Sequence, residues 1–375
     1  MHSITQVMTL KGQKNHYNVK LLRGYGASIT LKGNKVCLKD GKDVFTGTQE
    51  VEEWFVTQIP YERIVIAGKG YVSTDAIQLL TSHNVNVILL DLYGNLVCNM
   101  TKVMVSDTAT RYRMGQYDTF RDPAKVLHLQ KQILHSKLES QVMFFESLKK
   151  AQLQECINGL RKYKERIDAQ RDKRDLLRIE AGAGHLYFRY YTSLFDKKYG
   201  FSSRRGGGIA MSNRHAADVI NALLNYGYSV LASEIARFVH GCGLDPYYGF
   251  FHKMDTSFQA LVYDLIEPFR WLVEYAVYKI AADTNHMHPI RKNEYAWTRE
   301  GKVILDSGLV RRFLELLERK FQSERLYKFK HGIKRRDGMS MCQEITIAKI
   351  HVQLLAEFCI GNKQLSFCPL TLSHL

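Results

Sequence analysis

The hydrophobic pattern of this 375-residue chain changes period once, and that change constrains its fold more than any other feature. Up to about residue 100, apolar side chains alternate or run in short blocks, as strands require; beyond Asp122 they recur every three to four residues, as helices require. Val19 and Leu21 share one face of a strand over Asn18–Arg23. Ile29 and Leu31, then Val36 and Leu38, flank Gly33-Asn34, which reads as a two-residue hairpin turn. Arg63–Ala67 and Asn86–Asp91 suit buried strands, and Ser73 or Thr74 can cap a short helix between them at Asp75–His83. Tyr93-Gly94-Asn95 then turns the chain into a strand over Leu96–Met100. Residues 103–121 keep neither pattern and read as a linker. Asp122-Pro123 opens a helix with Leu127, Leu134, Leu138, Val142 and Phe145 along one face. The expected fold class is α+β: a β-rich N-terminal domain over 1–102, the linker, and an all-α domain over 122–375. The length fits two domains better than a single core.

Charge narrows the partner. The formal net charge is +16, which suits a polyanion, nucleic acid above all. Residues 1–120 hold 13 Lys/Arg against 10 Asp/Glu, whereas the remainder holds 40 against 27, so the anionic partner should meet the second part. Seven scattered cysteines with no CxxC argue against a disulfide framework or a thiolate zinc site and fit a reducing cytoplasm. The N-terminus has no basic-then-apolar signal, and no apolar run approaches a membrane span.

Several stretches invite a functional reading and a plainer one. Gly68-Lys69-Gly70 follows a strand and precedes a helix, with Asp91 closing the next strand, near the layout of a dinucleotide fingerprint. The third glycine and any Gly-Lys-Ser/Thr are missing, so a structural turn is the simpler account. Residues 161–178 hold eight basic and four acidic side chains, either a solvated helix face or a phosphate-contacting one that includes Arg178. Residues 197–214, with Arg204, Arg205, Arg214 and three glycines at 206–208, read as a basic loop that suits a phosphate backbone or a spacer. Residues 311–336 form a further basic run. Ile220, Leu224, Tyr228, Leu231, Ile235 and Phe238 define a core helix, and Ile345–Phe358 a last amphipathic one. His286 and His288 are too close together to be helix neighbours and carry no metal assignment.

Residues 243–270 hold the most chemistry. A turn at Gly243-Leu244-Asp245-Pro246 leads to His252, and a helix then brings Asp264 and Glu267 onto one face. Pro268 has no N–H for the carbonyl of Asp264, so a kink is expected there. Carboxylates with an imidazole suit Mg²⁺ or Mn²⁺ better than zinc, and on a basic protein they imply phosphoryl transfer. Periodicity alone does not join Glu180, in Ile179-Glu180-Ala181-Gly182-Ala183-Gly184, to this set; small residues after a carboxylate serve helix packing as readily as a ligand.

Asn221–Tyr228, Gly243-Leu244-Asp245-Pro246, Gly249-Phe250, His252 and Leu261–Arg270, together with Ile179-Glu180-Ala181, resemble the CRISPR-associated spacer-acquisition integrase family, and the likeness spans nearly the whole chain. The resemblance implies a β-rich dimerisation domain and a helical catalytic and DNA-binding domain. It implies Glu180, His252 and Glu267 as ligands of Mg²⁺ or Mn²⁺, Asp264 as an acidic support among the catalytic residues, and Tyr228, Tyr263 and Arg270 near bound DNA. The implied activity is DNA cleavage and the joining of a captured fragment's 3′-hydroxyl to a CRISPR repeat by transesterification. A homodimer, double-stranded DNA and a small ferredoxin-like companion are the implied partners. Ala181 stands where many relatives carry glycine, which touches fine geometry rather than ligand identity. Casposases, integrases of mobile elements, resemble the same motifs, and an inactive DNA-binding scaffold of the family is the non-enzymatic alternative.

Overall fold

The computed structural model describes residues 19–42, 49–102, 109–204, 216–252, 259–283, 289–328 and 339–361. Within them, strands come first and helices dominate afterwards, as the change of period requires. Packing divides the chain into two compact units, one of Met1–Val103, Phe195–Ser233 and Ala276–Lys320, the other of Met104–Leu194, Glu234–Tyr275 and Phe321–Leu375.

The first unit is built on a six-stranded sheet: β1 (Val19–Lys32), β2 (Lys35–Lys39), β3 (Val51–Phe55), β4 (Arg63–Val72), β5 (Asn86–Leu90) and β6 (Leu96–Met100), in the order β3-β2-β1-β4-β5-β6. The β1–β2 hairpin closes at Gly33, whose φ of +60° belongs to the left-handed region that favours glycine. Strands β1, β4 and β5 run parallel, and helix α1 (Thr74–Ser82) makes the crossover between β4 and β5. Ser73 caps α1 by accepting from the Ala76 N–H. Leu22, Ile29, Val36, Leu38, Ile64, Ile66 and Val87 bury one sheet face against Ala76 and Leu80 of α1.

Gly68-Lys69-Gly70 does not leave the sheet; β4 runs straight through it. A Cβ on Gly68 would lie 2.4 Å from the Gly24 carbonyl oxygen, and one on Gly70 1.8 Å from that of Ala27. The glycines let β4 press against β1 where its register shifts between Tyr25 and Ala27, which is the structural role the sequence suggested.

The helices that follow are α2 (Ala109–Arg121), α3 (Pro123–Ser147), α4 (Gln154–Glu165), α5 (Lys173–Thr192), α6 (Val219–Gly241), α7 (Ala260–Ile266), α8 (Arg270–Ala281), α9 (Ser307–Gln322) and α10 (Glu344–Cys359). Asp122 caps α3 through the Ala124 and Lys125 N–H groups, with Pro123 in its first turn. Leu134, Leu138, Val142 and Phe145 face the core as their spacing requires. Residues 109–121, expected as linker, are helix instead, with Gln116, Thr119 and Phe120 buried. Their stripe is short and half polar, so it carries little periodic signal. Two short antiparallel ribbons, β7 (Tyr295–Trp297) with β8 (Val303–Leu305) and β9 (Glu324–Lys328) with β10 (Met339–Gln343), interrupt the helices. They are too brief to show as alternation.

Candidate functional site

The site lies in the second unit, and its first layer is the loop before α7. Helix α2 holds that loop by polar contacts. Gln116 Nε2 donates to the carbonyls of Asp245 and Tyr248 (2.9 Å each), its Oε1 accepts from the Asp245 N–H (2.7 Å), and the Tyr117 hydroxyl donates to Asp245 Oδ2 (2.8 Å). From α3, Gln130 Nε2 donates to the Phe250 carbonyl (2.6 Å).

Asp264 fixes the end of the loop. Its Oδ2 accepts the N–H groups of Phe250 (2.7 Å) and Phe251 (2.9 Å), and its Oδ1 accepts the His252 N–H (2.8 Å). His252 Nδ1 lies 2.6 Å from Oδ1, where a carboxylate accepts and Nδ1 donates. That pairing selects the imidazole tautomer with its lone pair on Nε2, the arrangement found in metal-ligating histidines. Gly249 must be glycine, because a Cβ there would lie 2.7 Å from Asp264 Oδ2 and 2.9 Å from Ala260. Asp264 is fully buried and pairs with His252.

Asp264 and Glu267 part company at the proline. Helix α7 ends at Ile266, Glu267–Phe269 tighten into a 3₁₀ turn, and α8 begins at Arg270. Glu267 thereby turns to cations instead of the loop backbone. Arg270 Nη1 stands 2.8 Å from its Oε1, and Lys137 Nζ of α3 stands 2.7 Å from its Oε2. The same ammonium lies 2.7 Å from Glu180 Oε1 on α5, so Lys137 bridges two of the expected ligands. Burial works against ionisation of Glu267, but Arg270, Lys137 and His252 overcome it and bring its pKa down to about 2. His252 moves the other way: burial opposes its charge, yet the bond to Asp264, and then Glu267 and Glu180, raise its pKa. Burial also opposes the charge on Lys137, and the two glutamates outweigh it.

These residues fit a divalent cation in chemistry. Two carboxylates already share one positive charge, and an oriented imidazole lies close enough to feel both. Among the described residues, no three His, Cys, Asp or Glu side chains converge as tightly as a bound ion requires. Lys137 fills the meeting point of the two glutamates.

The remaining expected residues are placed as follows. Tyr263 is half-buried, and burial raises its pKa against the nearby charge of Arg270. Arg178 is exposed on α5 and pairs with Asp175 at 2.7 Å. Arg204 and Tyr228 belong to the first unit; Arg204 donates to Asn221 Oδ1 and Asn225 Oδ1 (2.8 Å each) and lies 5.3 Å from the centre of the buried Tyr228 ring. Arg205, Arg214, His286 and His288 lie outside the described residues. On α5, Gly182 serves helix packing, since a Cβ there would lie 2.7 Å from the Tyr163 hydroxyl. Sequence reasoning missed Lys137 and Gln116. Lys137 sits one residue from core Leu138 on an amphipathic helix, a position where lysines commonly snorkel to solvent. Gln116 lies in the segment without a pattern.

Comparison with known proteins places these features in a family. The model of "CRISPR associated protein Cas1" matches residues 21–319. The CRISPR-associated endonuclease Cas1 1 of Archaeoglobus fulgidus is 34% identical over 225 residues, 56% of this chain and 64% of the relative, so the match spans under two thirds of that protein's length. A solved casposase bound to integration product shares the fold with a TM-score of 0.77 at 24% identity, covering 93% of each chain. A Cas6-RT-Cas1–Cas2 complex gives a TM-score of 0.70 at 19% identity, over 96% of this chain and 38% of that one. With a family match running through most of its length and the motif residues gathered as described, the chain belongs to the CRISPR-associated Cas1 family.

Proposed function

We propose that this protein is a metal-dependent DNA endonuclease and integrase of CRISPR adaptation. It inserts captured DNA fragments into the CRISPR array, the fragment's 3′-hydroxyl attacking a phosphodiester of the repeat. The observation that carries the reading is the convergence of Glu180 and Glu267 on one cation position, with His252 aimed by Asp264. Glu180, His252 and Glu267 would hold Mg²⁺ or Mn²⁺, and the ion when bound would neutralise a nonbridging phosphate oxygen and assist the attacking and leaving oxygens. The protein's own part is arrangement. Asp264 keeps the imidazole in the ligating tautomer. Arg270 keeps Glu267 ionised and, with Tyr263 and the exposed Arg178, supplies groups near the DNA strand. Arg204, Arg205 and Tyr228 are further DNA-contacting assignments.

We assign dimerisation to the β-rich part up to residue 102, and catalysis and DNA binding to 122–375, with 103–121 between them. The partners are a captured DNA duplex, the repeat, a second copy of the chain and a small ferredoxin-like companion. One structural relative is a Cas6-RT-Cas1–Cas2 complex, and that pairing supports the companion. No helix among the described residues is long and apolar enough to cross a membrane, and we place the protein in the cytoplasm.

The casposase likeness supports a second reading, a transposon integrase with the same chemistry and a different DNA target. The flanking DNA separates the two: repeats and a companion gene, or terminal inverted repeats and a polymerase. A strand-transfer assay with Mn²⁺ and a 3′-hydroxyl duplex tests the chemistry itself. Wild type should join the strands and Glu267→Ala should not. Equal joining by both would sink the site assignment, and no joining by either would favour an inactive scaffold.

A further inference from the structure

Two glutamates that accept a divalent ion must first give up the cation already between them. Here that cation is Lys137, whose Nζ lies 2.7 Å from Glu180 Oε1 and 2.7 Å from Glu267 Oε2. Lys137 and Glu267 side chains are only 15% and 3% exposed, so water does little to compensate either charge. A Mg²⁺-sized ion needs carboxylate oxygens at about 2.0–2.1 Å. An ammonium in van der Waals contact with both oxygens occupies the same space. The ion and the ammonium therefore exclude each other at this point.

We propose that Lys137 is a displaceable internal cation. It holds Glu180 and Glu267 together as a preformed pair while no metal is bound, and it withdraws when a divalent ion enters. The inference rests on the metal reading above and adds a residue that neither the motifs nor the family match assigns. Its chemistry suits the task. A lysine is a point charge on a flexible four-carbon stem, able to leave without unfolding its helix. Arg270 sits three residues from Glu267 and pairs with its other oxygen, so it can stay as the fixed counter-charge. Lys137 is thus a positioning residue: it sets the distance between two ligands and competes with the ion for them.

Competition predicts a gain of metal affinity when the lysine charge is removed. Mn²⁺ binding to the full chain is measured by electron paramagnetic resonance for wild type, Lys137→Met and Lys137→Gln, the second variant keeping a hydrogen-bond donor without the charge. Each variant should bind at least about tenfold more tightly, since a full charge a few ångströms from the ion is removed. Both should also melt lower than wild type in EDTA and regain more on adding Mn²⁺. Reductive methylation of wild type, read by mass spectrometry, checks the displacement without any variant: Lys137 should react faster once Mn²⁺ is present. Saturable wild-type binding with equal or weaker binding by the variants would overturn the placeholder and leave the metal reading standing. So would unchanged or slower methylation of Lys137 with Mn²⁺, including in the case where neither variant folds. No Mn²⁺ binding by wild type would overturn the metal reading and this inference with it.

Discussion

Asp40 in the first unit and Glu267 in the second are both carboxylates taken out of water, yet their titrations move in opposite directions. Burial dominates at Asp40 and pushes its pKa up to about 6, against the pull of Lys20 and Arg311. Those cations are divided: Lys20 pairs with Glu52 at 2.5 Å, and Arg311 stands 3.5 Å from both Asp40 and Glu50. At Glu267 two cations approach at 2.7 and 2.8 Å, and the pKa falls to about 2 despite deeper burial. Burial alone therefore does not mark a place built to hold charge. The arrangement of cations around Glu267 does, and a second carboxylate sharing Lys137 makes the arrangement suited to a divalent ion.

The contrast breaks most readily in catalysis. Glu267→Ala should lower Mn²⁺-dependent strand transfer by at least about a thousandfold, because several kcal/mol of charge stabilisation depend on the ligand. Asp40→Asn should leave the rate near wild type; a comparable loss there would erase the distinction. Charge on the surface obeys different rules from either buried site. If the basic runs at 161–178 and 311–336 meet six or more phosphates, DNA affinity should fall about a thousandfold from 50 to 200 mM salt. A flat response would reject them as the footprint.

The smaller effects sharpen the comparison. Asp264→Asn removes no ligand but disturbs the partner of His252 Nδ1, and should weaken Mn²⁺ binding by about 10- to 100-fold in a calorimetric titration. Unchanged affinity would mean that His252 does not depend on Asp264 for its role. A comparable change is expected in pH dependence, measured by urea unfolding in EDTA. Asp40 has a folded pKa above its unfolded value, so the folded chain holds the extra proton between about pH 4 and 6 and the contribution of Asp40 to stability falls as pH rises through that window. Asp40→Asn should remove a decline of about 3 kcal/mol at most. Glu267 has the opposite sign: its contribution is present above pH 4.5 and is lost as pH falls toward 2. The buried His351, whose pKa burial lowers to about 4, contributes with the opposite sign over the same window, so the test is the difference between the two proteins: an Asp40→Asn slope from pH 4 to 6 equal to that of wild type would contradict the assignment at Asp40.

The period change at Asp122, the Gly33 hairpin and the Ser73 and Asp122 caps were legible because each is a local signal that tertiary packing had no reason to override. The site was legible in part. Gly249-Phe250, His252 and Asp264 lie close enough in sequence for their motif to stand out, and Pro268 marks the break that turns Glu267 away from Asp264. Glu180 entered through resemblance alone, since no spacing connects α5 to the loop. Lys137 and Gln116 were illegible for a physical reason. Each acts through a contact spanning more than forty residues, from a helix face whose sequence serves ordinary packing equally well. The Gly68-Lys69-Gly70 decoy shows the converse: a ligand-like string can exist to let two strands approach.

The most direct test of the central claim is Mn²⁺ binding to the full-length chain, compared among wild type, Asp40→Asn and Glu267→Gln by electron paramagnetic resonance. Saturable binding in the first two, lost in the third, is the expected result. Equal affinity in all three would contradict a metal centre at Glu267.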